Sequence, residues 1–134
     1  YDNPSRDPSK ILDIARAAAL DDTVESFPEG LDTILGERGV TLSGGQKQRT
    51  ALARGLIRES PILILDDCFS AVDTETEERI LAGLKRVRNN STTLLVSHRV
   101  STARHADRIL VLDKGEIQEI GLIRMSLIGK QSLY

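Results

Sequence analysis

The segment Leu42-Ser43-Gly44-Gly45-Gln46 has the residue types of a phosphate-binding site. Ser43 and Gln46 have the S-x-x-Q spacing of a capping box, so we expect a helix to begin at Ser43. Two glycines at a helix start leave backbone N–H groups uncovered, and the positive end of the helix dipole adds attraction for an anion. The segment therefore predicts an anion site, and the alternative is a glycine-rich helix start that binds nothing.

Three titratable side chains follow two short apolar runs. Asp66 and Asp67 come after residues 62–65, and His98 comes after residues 92–97. In parallel sheets ligands sit at the carboxyl ends of the strands, which is where these three residues fall. An aspartate at such a strand end can hold Mg²⁺ beside a nucleotide phosphate, and a histidine can donate a hydrogen bond to a γ-phosphate. The alternatives are a capping aspartate and a structural histidine.

A third candidate is the tight connection Ser70-Ala71-Val72-Asp73, which leads from the first apolar run into the next predicted helix. Asp73 has the residue type of a helix N-cap. A cap alone is therefore the simpler interpretation of this segment.

The order of predicted elements indicates an α/β fold with a mainly parallel sheet and a late antiparallel edge. Asp7-Pro8 predicts the start of a helix that continues to about Leu20. Thr74 and Glu77 repeat the capping-box spacing before a further helix. The run 62–65 is wholly apolar, as expected for a strand buried on both faces. The other predicted strands are residues 92–97, 109–112 and 116–120, the last two joined by a hairpin at Asp113-Lys114-Gly115.

Composition narrows the classes of partner. The chain has 134 residues, a net charge of −2 and only 3% aromatic residues, so neither charge nor base stacking suggests a nucleic-acid partner. Cys68 is the single cysteine and cannot form an internal disulfide, so we expect it to pack beside the strand. No apolar run approaches the length of a membrane span.

The candidate residues lie in segments that follow one another in a specific order: VTLSGGQKQRTALARGL, ILILDDCFSAVD, TTLLVSH and RILVLDKGEI. Together they resemble the second half of the ATPase domain of ABC transporters. This resemblance implies a partial P-loop NTPase (RecA-like) core with a mainly parallel sheet, plus the ABC helical subdomain. It places the helical subdomain, with the X-loop and the signature motif, at residues 1–58. Residues 59–134 would be the partial core with the Walker B motif, D-loop and H-loop.

The resemblance also implies roles for single residues, with ATP and Mg²⁺ as cofactors. The signature would close over ATP held by a second nucleotide-binding domain, the D-loop would cross that dimer interface, and Asp66 would organise Mg²⁺. Asp67 and His98 would be the catalytic pair. The residues implied to contact nucleotide or the interface are Ser43, Gly44, Gly45, Gln46, Ser70 and Asp73. Residues 33–39 resemble the X-loop of exporters, so Glu37 would face transmembrane domains at the cytoplasmic side of a membrane.

Two departures from the family pattern stand out. The sequence contains no G-x-x-x-x-G-K-[ST] segment, so we expect these 134 residues to be a fragment, lacking the Walker A half, that does not bind or hydrolyse ATP by itself. Asp67 stands where hydrolysing members usually have glutamate. A carboxylate displaced by ~1 Å can lower a rate on the order of 100-fold. We therefore expect the chain to come from the degenerate half of a heterodimeric exporter, whose intact signature serves the partner's site.

Two other classes remain open at this point. Chromosome and DNA-repair ATPases of the SMC type share the signature, although the early part of this chain shows no heptad pattern. A non-catalytic interaction fragment is the second alternative, because the phosphate-binding loop is missing.

Overall fold

The computed structural model describes residues 7–36 and 39–122, in which helices and strands alternate as an α/β fold. The chain divides into two compact units between His98 and Arg99. This division lies elsewhere than the subdomain boundary at residue 58, which stays a prediction. The elements are α1 (Pro8–Ala17), α2 (Asp21–Glu25), a 3-10 turn (Gly30–Asp32), α3 (Gly44–Leu56), β1 (Ile62–Asp66), α4 (Thr74–Val87), β2 (Thr92–Val96), α5 (Val100–Ala103), β3 (Arg108–Asp113) and β4 (Glu116–Leu122).

Strands β1 and β2 pair in parallel in the first unit, and Asp66 lies opposite Val96 at their carboxyl ends. The side chains of β1 alternate between the two faces of the sheet. Leu63 and Leu65 are buried, whereas Ile62 and Ile64 are 60% and 64% exposed. The expectation that this strand is buried on both faces is therefore wrong for the described part of the chain, because helices cover only one face.

One hydrophobic core joins α1, α3, α4 and the buried face of β1. The apolar positions predicted for α4 supply its centre, since Ile80, Leu81 and Leu84 are at most 5% exposed. Its other members include Ile14, Ala17, Leu52, Leu56, Leu63, Leu65, Phe69 and Val72.

Arg88, the C-cap of α4, ties the helix to the beginnings of both strands. Its guanidinium donates hydrogen bonds to the hydroxyl of Thr93 and to the carbonyls of Ser60 and Thr92, at 3.0–3.1 Å. Only 7% of Arg88 is exposed, so these acceptors compensate for the loss of water around a charged group.

Helix α1 is shorter than the sequence predicts. It starts at Asp7-Pro8 as expected but ends at Ala17, because the amides of Ala19 and Leu20 turn back to the carbonyls of Arg16 and Ala15. This is the Schellman pattern, with Ala19 in the left-handed region at φ 52°. Glycine usually occupies that position, so the sequence carries no stop signal, and the short helix α2 that follows was also missed.

The N-cap of α4 is Asp73, as its residue type indicates, and not Thr74. The Asp73 carboxylate accepts hydrogen bonds from the amide and hydroxyl of Thr76, which hold its pKa below the usual value. The predicted capping box of Thr74 and Glu77 is therefore wrong, and Glu77 is instead fully buried.

The second unit contains α5 and the antiparallel hairpin of β3 and β4. The predicted hairpin is present, and Lys114 and Gly115, at φ 49° and 82°, form its turn with both residues left-handed. The described strands thus form two two-stranded sheets, one parallel and one antiparallel. Within residues 7–36 and 39–122, no helix has both the length and the apolar character needed to cross a membrane.

A close approach between α1 and α4 yields a stability prediction. A Cβ at Gly83 would lie 2.5 Å from the Ala17 carbonyl oxygen and 2.7 Å from its Cα, both backbone atoms. We expect Gly83→Ala to lower the free energy of unfolding by about 2 kcal/mol, because overpacking exceeds the gain of about 1 kcal/mol in helix propensity. Urea unfolding of the chain measures this difference.

The matched control is Gly55→Ala in α3, where a Cβ would meet only the Leu63 side chain at 3.5 Å. This variant should be as stable as wild type or more stable by up to about 1 kcal/mol. Equal effects of the two substitutions would contradict the packing of α1 on Gly83.

Candidate functional site

The predicted capping box at the start of α3 is present. The backbone amide of Gln46 donates to the Ser43 hydroxyl at 3.2 Å, and the backbone amide of Ser43 donates to Oε1 of the Gln46 side chain at 2.8 Å. These two bonds satisfy two donors at the helix start. The amides of Gly44 and Gly45 donate to no described residue, so they remain for an anion at the positive end of the helix.

Asp66, Asp67 and His98 lie at the carboxyl ends of β1 and β2, as predicted. The Asp67 amide donates to the Val96 carbonyl at 3.1 Å, which extends the strand pairing by one residue. The carboxylate of Asp67 then lies 3.7 Å from His98 Nδ1. Both side chains are more than half exposed, so water screens this pair and it contributes little to stability.

This edge supplies carboxylates but no complete metal cage. Among the described residues, no three histidine, cysteine, aspartate or glutamate side chains cluster closely enough to hold a metal ion. Magnesium is usually held by one or two carboxylates together with waters and substrate phosphates, so the exposed carboxylate of Asp66 fits that role only when a phosphate group supplies further ligands.

The connection between β1 and α4 packs against the beginning of α3. Gln48 donates from Nε2 to the Ser70 hydroxyl at 2.8 Å and accepts the Ala71 amide on Oε1 at 3.0 Å. A Cβ at Gly45 would lie 2.8 Å from the Ala71 carbonyl oxygen, so this contact requires glycine. Gln48 was not predicted from the sequence, because its partners lie 22 and 23 positions further along the chain and no spacing rule covers such separations.

The structure thus forms two groups of predicted site residues. Ser70 and Asp73 belong to a loop that lies against the beginning of α3, while Asp66, Asp67 and His98 lie at the strand ends. In the described part of the chain, no hydrogen bond joins Ser43–Gln46 to the strand-end group. The predicted contact residue Glu37 lies outside the described residues.

An open cleft of about 350 Å³ lies between α3 and β1, and Gln48, Asp66, Asp67 and Cys68 contribute to its lining. A larger concavity of about 410 Å³ lies at the amino ends of the strands, lined by Lys10 and Glu59 among others. Lys10 and Glu59 form an ion pair at 2.7 Å there. Of these two concavities, the first contains two of the predicted site residues, Asp66 and Asp67 at the carboxyl end of β1.

Cys68 is half-buried and packs against the core beside β1, in agreement with its predicted packing role. Burial raises the pKa of its thiol to about 11, with a smaller contribution from the negative charge of Asp67. The thiol is therefore protonated at neutral pH and is a poor nucleophile.

Comparison with known proteins shows the family to which the chain belongs. The family model described as ABC transporter matches residues 3–70, about half of the chain. The chain therefore belongs to the ABC transporter family, as the order of its motifs indicates.

Relatives and a solved structure agree with this assignment. An ATP-dependent lipid A-core flippase of Shewanella denitrificans is 50% identical over 93% of the chain, which covers 21% of that protein. A mitochondrial potassium channel ATP-binding subunit of Xenopus tropicalis is 46% identical over 100% of the chain and 19% of its own length. A bacterial Atm1-family ABC exporter with ATP bound superimposes with a TM-score of 0.77 at 43% identity, over 91% of this chain and 21% of that one.

The chain spans about a fifth of the length of the curated relatives it matches. The names of these relatives differ in what is transported or conducted.

The raised pKa of Cys68 predicts slow alkylation. Iodoacetamide should modify Cys68 on the order of 100-fold more slowly at pH 7.5 than an unperturbed cysteine, because the thiolate fraction falls tenfold per unit of pKa. The rate should keep rising with pH towards about 11. Mass spectrometry of time points from pH 7 to 11 measures it, with a cysteine peptide as control. A rate that levels off near pH 9 would contradict the burial of this thiol.

Proposed function

We propose that this chain is part of the ATPase domain of an ABC exporter, and that the longer protein couples ATP hydrolysis to export of a substrate. The exporter assignment is supported by the ATP-bound Atm1-family structure and by the flippase relative. These names favour an exporter over a chromosome or DNA-repair ATPase, and the low aromatic content and slight negative charge are in keeping with a protein that has no nucleic-acid partner.

The observation that carries the proposal is the start of α3. Its capping box leaves the Gly44 and Gly45 amides for a phosphate, yet no hydrogen bond connects it to Asp66, Asp67 or His98 in the described residues. A phosphate site separated from the catalytic group of its own chain suits a nucleotide bound between two domains. Ser43, Gly44, Gly45 and Gln46 then close on ATP held by the partner, and Ser70 and Asp73 lie at the interface.

The strand-end group serves the nucleotide of its own subunit. Asp66 would offer a carboxylate to Mg²⁺, which would need further oxygen ligands from phosphate and water. Asp67 would accept a hydrogen bond from the attacking water, and His98 would donate one to the γ-phosphate.

The length of the Asp67 side chain supports a weakened site. Its carboxylate is one methylene shorter than that of glutamate, which displaces the base from the water. This chain then belongs to the degenerate subunit of a heterodimer, and its intact signature completes the competent site of the partner.

The remaining partners follow from the same proposal. Transmembrane domains contact the loop around Glu37, and the ATPase domain lies at the cytoplasmic face of the membrane. The 134 residues alone lack the G-x-x-x-x-G-K-[ST] segment, so they bind ATP weakly if at all.

The test uses the full-length heterodimer with the partner's hydrolytic site disabled. Asp67→Glu should raise the remaining ATP hydrolysis by about 10-fold or more, because the longer side chain brings the carboxylate to the water. Phosphate release in detergent or nanodiscs measures the rate. Asp107→Glu, an exposed aspartate in the turn before β3, is the matched control and should leave the rate unchanged.

Two results would contradict the proposal. An absence of ATP hydrolysis by the wild-type protein would remove the ATPase assignment, and no gain from Asp67→Glu would remove the degenerate site. Titration calorimetry of the isolated chain with Mg-ATP gives the negative control, in which micromolar affinity would contradict the need for the missing loop.

A further inference from the structure

Gln48 lies in α3 just beyond the Ser43–Gln46 segment, and the sequence motifs assign it no role. Both polar atoms of its side-chain amide are used by one loop. Nε2 donates to the Ser70 hydroxyl at 2.8 Å, and Oε1 accepts the Ala71 amide at 3.0 Å. The orientation of the amide is fixed, because a flipped side chain would place the Nε2 donor against the N–H donor of Ala71.

Two further contacts define what this amide holds. Gly45 lies so close to the Ala71 carbonyl that a Cβ would come within 2.8 Å of its oxygen. On the other side of the loop, the Ser70 amide donates to the Asp67 carbonyl at 3.4 Å, so the loop continues into the strand-end group. Gln48 therefore stands between the start of α3 and the turn that follows β1.

We propose that Gln48 is a positioning residue that fixes the Ser70–Asp73 loop to the helix carrying Ser43–Gln46. This inference rests on the proposed function, in which both elements face the partner's nucleotide-binding domain. The partner then meets the helix start and the loop as one surface of fixed geometry. Without the two hydrogen bonds, the exposed backbone at Ser70 and Ala71 can shift away from α3, and the surfaces align in fewer of the closed dimers.

The kinetic consequence differs from that of a purely structural residue. Gln48 touches neither the nucleotide nor the reacting atoms in this arrangement, so its loss lowers the number of productive closures. The turnover number then falls while the KM for ATP and the thermal stability change little.

The experiment compares Gln48→Met and Gln48→Glu in the full-length protein. Methionine matches the length of glutamine but makes neither hydrogen bond, so kcat should fall about 10-fold, as expected for two lost hydrogen bonds. KM should stay within about 2-fold and Tm within about 3 °C. Glutamate can accept from both the Ala71 amide and the Ser70 hydroxyl, so Gln48→Glu should regain most of the turnover.

The matched control is Gln118→Met, at an exposed glutamine in β4, which should behave as wild type. Wild-type turnover in Gln48→Met would overturn the inference. A loss of turnover that a fall in Tm accounts for would also overturn it, as would a Gln48→Glu variant with no more turnover than Gln48→Met. These results leave the ATPase assignment intact, because they are read against an active wild type. A wild-type protein without turnover would overturn both.

Discussion

The burial of Phe69 and Val72 is the constraint on which the arrangement of the site depends. These side chains are 3% and 5% exposed, and the Val72 amide donates to the Phe69 carbonyl at 3.0 Å. Because both anchor in the core, Ser70 and Ala71 between them must face outward. That outward turn meets α3 and ends at the Asp73 cap of α4. Fully burying a large apolar side chain contributes roughly 1.5–3 kcal/mol, so two such anchors hold the turn more firmly than its hydrogen bonds do.

This turn explains why one chain carries two separate groups of functional residues. It begins at the strand ends, where Asp67 and His98 meet, and it finishes against the start of α3, where the capping box leaves two glycine amides uncovered. The core fixes each group in place but does not bring them into one pocket. In the proposed function, a nucleotide shared between two subunits would use both groups, one from each side. The chain would then contribute most through its signature, because the shorter side chain of Asp67 would weaken the site at its own strand ends.

Several features of the fold could be predicted from the sequence, because the residues that determine them are neighbours in the chain. The capping box of Ser43 and Gln46, the Asp7-Pro8 helix start and the Lys114-Gly115 turn depend on neighbouring residues, and all are present. Parallel pairing also predicted the meeting of Asp67 and His98. The end of α1 could not be predicted, because Ala19 takes a left-handed conformation that its residue type does not indicate. Gln48 was missed for another reason, since its partners are remote in sequence and only the packed core brings them near.

The strand faces show the same limit. An apolar run such as Ile62–Leu65 predicts burial on both sides, yet only Leu63 and Leu65 meet the helices. The sequence pattern shows that these side chains are apolar, whereas their exposure depends on which other elements pack against each face of the strand.

If this chain acts chiefly on the partner's nucleotide, substitutions in its signature and at its own strand ends should differ in their effect on ATP hydrolysis. Ser43→Arg and Asp66→Asn are placed, one at a time, on the subunit that carries this chain in the full-length heterodimer, and total ATP hydrolysis is measured. We expect Ser43→Arg to lower hydrolysis on the order of 100-fold, because losing the Ser43 cap displaces the Gly44 and Gly45 amides from the phosphate in the competent site. Asp66→Asn should lower it less than about 3-fold, since it affects only the weakened site. Equal losses, or a larger loss from Asp66→Asn, would contradict a chief role of this chain at the partner's nucleotide.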